Sequence, residues 1–170
     1  MRKILLTLII ANLIYSCAEF ETQTDVNNKF EIDVPKDWAF QNAGEEIISI
    51  MRFTDTTVNY KDRILFDISW ESDKTEFTTE FKTLMDSIAV AKVGIPKNQS
   101  FRKVHGFDAY YFDVVGNDSL GNFDFVVDNR YLNSKDKDGT IFLSITSWKE
   151  KLNETDSLLV EKIFGTLARK

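Results

Sequence analysis

The sequence predicts an α+β fold, a mostly antiparallel β-sheet flanked by helices on both faces, and three observations carry that reading. Past position 29 apolar residues alternate at period 2 through a series of runs, the pattern of half-buried strands. Two separated stretches switch to the 3.6-residue period of amphipathic helices. The later strands carry bulky residues at both parities. In "TIFLSITSW", Ile141, Leu143 and Ile145 alternate with Phe142 and Trp148, so both faces of the sheet need cover. Successive strands, two helices, short connections and no composition break give one α/β/α sandwich domain over residues 29–170.

"FEIDV" opens the domain with Phe30, Ile32 and Val34 on one face; Pro35 ends the strand and "KDW" turns the chain. "IISIMRF" and "ILFDISW" read as a pair of strands, the second setting Ile64, Phe66, Ile68 and Trp70 against Asp67 and Ser69. Asp73 with Glu76 reads as a capping-box helix start. Phe77, Phe81, Leu84, Met85 and Ile88 then form one stripe, which must land on a sheet, and Gly94 with Pro96 ends the helix. A short strand near "SFRKV" and a tight turn at Gly106 lead into the strands "DAYYFDVVG", "FDFVVDNRYL" and "TIFLSITSW". "NDSLGN" and "SKDKDG", the latter with an Asp-Gly turn, join those three. A last helix from about Thr155 to Ala168 buries Leu159, Val160, Ile163, Phe164 and Leu167.

Ahead of the domain, Arg2 and Lys3, the apolar run Ile4 to Ile14, and the small residues Ser16, Cys17 and Ala18 have the three-part layout of a bacterial export signal. A membrane span needs about 20 apolar residues, and Glu19 and Glu21 stop this run short. "LIYSC" resembles a lipobox. That resemblance implies removal of residues 1–16 as a lipoprotein signal peptide and acylation of Cys17, by palmitate or a similar chain, at the head of a flexible polar leader, residues 17–28. The rival cleavage after Ala18, where Ser16-x-Ala18 meets the small-x-small rule, would discard Cys17 and free a soluble protein. Cys17 is the chain's only cysteine, so it closes no internal disulfide and builds no thiolate cluster; the anchor is its expected use. Acyl chains contribute about 0.8 kcal/mol per buried methylene, so two or three hold permanently. Ala18 is unlike the aspartate of inner-membrane retention signals, which makes the outer membrane the expected home, facing the periplasm or the surface.

Loss of residues 1–16 removes Arg2 and Lys3, leaving 154 residues and a net charge of −8, 19 positive against 27 negative. A chain this acidic has no electrostatic means of holding nucleic acid, and lipid is its expected membrane attachment. With 14 Phe, 3 Trp and 5 Tyr the core should be well filled.

Chemistry-bearing motifs are scarce. His105 is the one histidine, followed by Gly106 in an apparent turn, so a Ser-His-Asp arrangement has a single poor candidate and no catalytic residue is expected. One His and an acylated Cys leave no zinc site. Asp136, Asp138 and Gly139 in "SKDKDGTIFLSI" have EF-hand spacing, but Ile145 stands where a bidentate glutamate belongs, so a hairpin turn is the expectation. Asp118 and Asp124 in "GNDSLGNFD" are two carboxylates of an ordinary loop, and no cofactor or metal is expected. Asp55-Thr56-Thr57, Asp86-Ser87-Ile88, Asp118-Ser119-Leu120 and Asp156-Ser157-Leu158 resemble the O-glycan acceptor pattern of Bacteroidetes-type bacteria, with Ser119 the best placed. Trp38, Trp70, Tyr110, Tyr111 and Trp148 are the aromatic candidates for a partner-binding cleft; burial in the core is the favoured expectation for each, with Trp38 and Trp148 nearest the rim.

"FEIDVPKDW", the long helix after the third strand, and the closing "IFLSITSWKEK…VEKIFGTL" unit resemble the PsbP-like fold family. That family joins the photosystem extrinsic protein PsbP, a Ran-binding nuclear import factor and bacterial lipoproteins such as DcrB. The likeness spans nearly all of residues 29 to 168 and implies a non-catalytic binding or assembly domain, with a protein partner in the envelope and no catalytic residues to carry over. A carrier sheltering an apolar ligand or peptide between sheet and helix is the alternative, and a hydrolase built on carboxylates alone is a third.

Overall fold

A computed structural model describes residues 19–42, 47–52, 62–92, 95–118, 123–149 and 151–170. These form ten strands and two helices, in an α+β sandwich as expected. The main sheet has seven strands in the order β3-β4-β5-β9-β8-β7-β6, all antiparallel: β3 (Ala39–Asn42), β4 (Ile47–Met51), β5 (Ile64–Glu71), β6 (Ile95–Val104), β7 (Phe107–Asp118), β8 (Phe123–Ser134) and β9 (Thr140–Ser147). A second sheet of three strands joins β1 (Phe20–Thr24), β2 (Phe30–Pro35) and β10 (Ala168–Arg169).

Parity sorts the core into two layers. Odd residues of β7 and β9, with Leu132 of β8 and Ile64, Phe66 and Ile68 of β5, face β2 and helix α2 (Glu154–Phe164), where Val160, Ile163 and Phe164 are buried. Even residues Tyr110, Phe112 and Val114 face the other way, onto helix α1 (Thr79–Lys92), against Met85 and Phe81. Both faces are covered, as the double parity of "TIFLSITSW" required. Phe81 and Tyr110 meet edge to face at 5.5 Å, and Phe81 and Tyr131 at 5.1 Å.

Five expectations need correction. "ETQT", read as flexible leader, is strand β1, paired along β2 from Phe20↔Pro35 to Thr24↔Glu31. Its turn is closed by buried Asp25, whose carboxylate accepts the N–H groups of Asn27, Lys29 and Phe30. The first helix begins at Thr79, not Asp73, and Thr78 Oγ1 caps the Phe81 N–H at 3.2 Å. Residues 73–75 are held instead by a buried pair on the sheet. Thr140 Oγ1 accepts the Thr75 N–H at 2.7 Å and Asn133 Nδ2 donates to the Thr75 carbonyl at 2.6 Å, so no helical turn forms there. Leu84 and Ile88, expected within the α1 stripe, are exposed. The "SFRKV" strand is longer than its motif, running from Ile95 to Val104. The last helix, expected to reach Ala168, ends at Phe164 with Gly165 as its cap, and Ala168 belongs to β10, paired with Glu31 of β2.

Asn153 caps α2 in a reciprocal box: its Oδ1 accepts the Asp156 N–H at 2.8 Å and its Nδ2 donates to Asp156 Oδ2 at 3.0 Å. Arg52 Nη1, at the end of β4, reaches the same carboxylate at 2.6 Å. That hydrogen bond and charge hold Asp156 below the usual carboxylate range.

The "SKDKDG" segment is the β8–β9 hairpin loop. Gly139 has φ +84°, and a Cβ there would strike the Glu71 carbonyl oxygen and lie 2.6 Å from Trp70 Nε1. Gly139→Ala should therefore cost more than about 2 kcal/mol, from the left-handed backbone and the collision together. Urea unfolding checks this; an unchanged midpoint would mean that the turn relaxes freely.

A candidate docking groove beside helix α2

The candidate site follows from a mismatch of lengths. Helix α2 has 11 residues, about 16 Å of rise, while β7 and β8 have 12 each, about 40 Å. The helix therefore leaves part of its sheet face bare. Between α2 and β6 the uncovered strip forms a groove of about 540 Å³ with Ser100, Arg102, Tyr111, Asp113, Arg130 and Glu161 among its lining. A second hollow of about 390 Å³ continues it past Asp113 and Asp128 to Leu152 and Val160.

Arg130 of β8 is the groove's fixed point. Its side chain is 3% exposed, and Nη2 lies 2.6 Å from both Asp128 Oδ2 and Glu161 Oε1. Its guanidinium stacks 4.4 Å from the Phe164 ring centre and 4.9 Å from that of Tyr111. Burial works to lower the Arg130 pKa, but the two carboxylates outweigh it and leave it raised. Arg102 of β6 lies over the outer part of Tyr111 at 4.5 Å and donates to Ser100 Oγ at 2.7 Å. Tyr111 is raised by its burial, with Arg130 opposing.

Asp113 stands directly across from Asp128 on the neighbouring strand. Burial, and to a lesser degree Asp128, raise its pKa, while Asn98 Nδ2, 2.5 Å away, opposes that shift. Among the described residues, this is the feature in line with a carboxylate hydrolase. Asp128 is already bound to Arg130, however. His105 sits outside the groove in a two-residue turn, exposed, with its ring edge on Phe164 at 5.2 Å. Among the described residues no group of three or more His, Cys, Asp or Glu side chains is placed to hold a metal ion.

The structure does not bring the aromatic candidates together as a cleft. Trp38 is buried against Phe66 at 5.9 Å, and Tyr110 is 0% exposed inside the α1 layer, its hydroxyl without a partner among the described residues and pushed up to about 12 by burial. Tyr111 is buried too, but its edge reaches the groove. Trp148 is half-buried just past β9. Asn117 Nδ2 donates to Asp124 Oδ1 at 2.8 Å across the β7–β8 ladder, which uses that carboxylate in a strand pair. Ser87 lies on α1, donating to the Thr83 carbonyl at 2.9 Å, and Ser157 lies on α2. Cys17, Ser119 and residues 55–57 lie outside the described residues.

Sequence reasoning passed over Arg130, Arg102 and Glu161. A signal was present: Asp128 and Arg130 share a parity with core residue Leu132, and an Asp-x-Arg pair on the buried face of a strand must find partners across the layer.

No family model matches this sequence, and no curated protein matches it. Solved structures do. A protein of Bacteroides thetaiotaomicron superposes with a TM-score of 0.60 at 14% identity, over 88% of this chain and 48% of the other, so this chain spans about half of that protein's length. The Ran-binding protein Mog1p of Saccharomyces cerevisiae gives 0.54 at 8% identity, over 89% and 96% of the two chains. LpqN of Mycobacterium tuberculosis, involved in cell envelope biogenesis, gives 0.53 at 15% identity, over 95% and 96%.

Arg130→Ala should cost about 3 kcal/mol, because it removes the stacked guanidinium and the ion pair that links β8 to the α2 carboxylate. Glu161 is 55% exposed, so Glu161→Gln should cost no more than about 1 kcal/mol. Denaturant unfolding of both variants measures the difference; equal small losses would remove Arg130 from this role. At such low identities the likenesses are of fold, and the chain has the PsbP-like fold that Mog1p and LpqN share.

Proposed function

We propose that this protein is a lipid-anchored component of the bacterial cell envelope, held at the outer membrane through acylated Cys17, and that it binds a protein partner without catalysing a reaction. The observation that carries the binding reading is an open, mostly polar groove laid over a filled core. Both apolar layers are packed with large side chains, and within the groove wall Arg130 is already paired with Asp128 and Glu161. A carrier for an apolar molecule needs an enclosed apolar cavity; the hollows beside α2 are open and carry carboxylates and arginines. Mog1p, a Ran-binding protein, and LpqN, with its part in cell envelope biogenesis, support the same reading on the same fold.

The export signal supports the anchor. No described helix is long and apolar enough to cross a membrane. Cells fed a radiolabelled fatty acid should label the native chain and leave Cys17→Ala unlabelled. Label persisting in the variant, or absent from the native chain, would contradict the anchor.

The groove is tested by a photo-crosslinking residue placed at Ser100 on the groove wall and, as a control, at Leu158 on the outer side of α2. In intact envelopes the Ser100 position should yield a defined protein adduct that the Leu158 position does not. Adducts equal at both positions, or none at Ser100, would count against a docking role for the groove.

A further inference from the structure

The groove is bordered by β6, a terminal strand of the seven-stranded sheet. Its turn to β7 has two residues, His105 and Gly106, both at positive φ, 48° and 85°. That is the type I′ geometry, in which the residues flanking the turn form a hydrogen-bonded pair. Val104, Arg102 and Ser100 therefore bond to β7, while the N–H and C=O groups of Phe101 and Lys103 point away from it. Among the described residues nothing bonds to them. At the other end Asn98, with φ 54°, and a break in register between Lys97 and Ser100 interrupt the edge. A regular open template is left from Ser100 to Val104.

The two sides of this template differ. Arg102 lies on the α2 side, over the groove. Phe101 lies on the α1 side, 54% exposed, its ring 6.5 Å from that of Phe77, where a further hollow of about 460 Å³ opens. Charge selects the occupant. In a chain of net charge −6, β6 carries Lys97, Arg102 and Lys103 and no carboxylate. Antiparallel pairing of two copies centred on Arg102 would set the two Arg102 side chains opposite each other, which like-charge repulsion disfavours.

We propose that β6 receives an extended segment of the protein partner as an eighth strand, and that this segment alternates acidic with apolar residues. Main-chain bonds to Phe101 and Lys103 supply affinity. Carboxylates at one parity meet Arg102 above the groove, and apolar side chains at the other rest on Phe101 and Phe77. This inference rests on the protein-binding reading and names the partner's chemistry.

The probe is an end-capped peptide of about seven residues alternating valine and glutamate, titrated into isotopically labelled protein and followed by amide shifts and hydrogen exchange. Binding should protect the amides of Phe101 and Lys103. Lys103→Pro, which removes an outward N–H without touching the β7 ladder, should weaken binding at least about tenfold, while Lys103→Gln should stay within about threefold of the parent. Should Lys103→Pro not fold, the same peptide N-methylated at alternate amides must lose binding to the native chain. A valine–lysine peptide should bind at least about tenfold more weakly than the glutamate one.

Equal binding of the two peptides, undiminished binding to Lys103→Pro or of the N-methylated peptide, or no binding at concentrations on the order of 1 mM would overturn the proposal. So would a dimer of the native chain in sedimentation that Lys103→Pro abolishes, since the edge would then serve a second copy. A Ser100 photo-adduct that survives an excess of the glutamate peptide would overturn strand addition and leave the groove's docking role standing; absence of that adduct would strike the docking role itself.

Discussion

The Arg130 guanidinium, lodged between two aromatic rings and shared by two carboxylates, is the contact on which the rest of the molecule turns. A cation 3% exposed must be paired, or its desolvation would cost several kcal/mol. Asp128, two residues away on the same strand face, takes Nε and Nη2. Glu161 adds a second bond to Nη2 from α2, so the guanidinium ties the helix to this point of the sheet. Phe164, one turn on from Glu161, then closes over the guanidinium and carries the helix's apolar stripe into the core. The uncovered strip beside the helix, and so the groove, is a consequence of that docking position.

The small sheet completes the same layer. Strand β2 receives β1 on one side and β10 on the other, so both ends of the described chain close on a single strand. Thr166 Oγ1 accepts the Asp33 N–H at 2.8 Å, and Lys170 pairs with Glu31 at 2.7 Å. Phe20 of β1 packs on the core with Lys162 of α2 over its ring at 4.2 Å. An acyl anchor at Cys17, as proposed, would stand three residues from strand β1 and leave little slack between the lipid and the domain.

Much of this was legible in the sequence because burial imposes parity. Phe30, Ile32 and Val34, the β5 run, and the two-sided "TIFLSITSW" are all positioned by whether a residue faces a layer, which alternation records directly. Helix α2 was readable for the same reason, its stripe of Val160, Ile163 and Phe164 being buried as expected. The misplaced helix start had a cause no local pattern contains. Asp73 and Glu76 have capping-box spacing, but Asn133 and Thr140, some 60 residues on, take the backbone at Thr75. "ETQT" hid its strand because an edge strand needs few apolar residues when a neighbour supplies the ladder. Leu84 and Ile88 fit the stripe by spacing, yet α1 meets the sheet through Phe81 and Met85, which leaves those two side chains exposed.

The groove was the least legible feature, since it is a space left by unequal lengths rather than a set of residues with a spacing. The aromatic candidates misdirected attention for a related reason: Trp38 and Tyr110 are large, so the core takes them, and what borders the groove is arginine and carboxylate. Amide hydrogen exchange on the full chain tests the central claim that Arg130 makes α2 one cooperative body with the sheet. Amides of Glu154–Phe164 should open only with the global unfolding recorded by β5 and β9; exchange of α2 through a separate, much easier opening would contradict it.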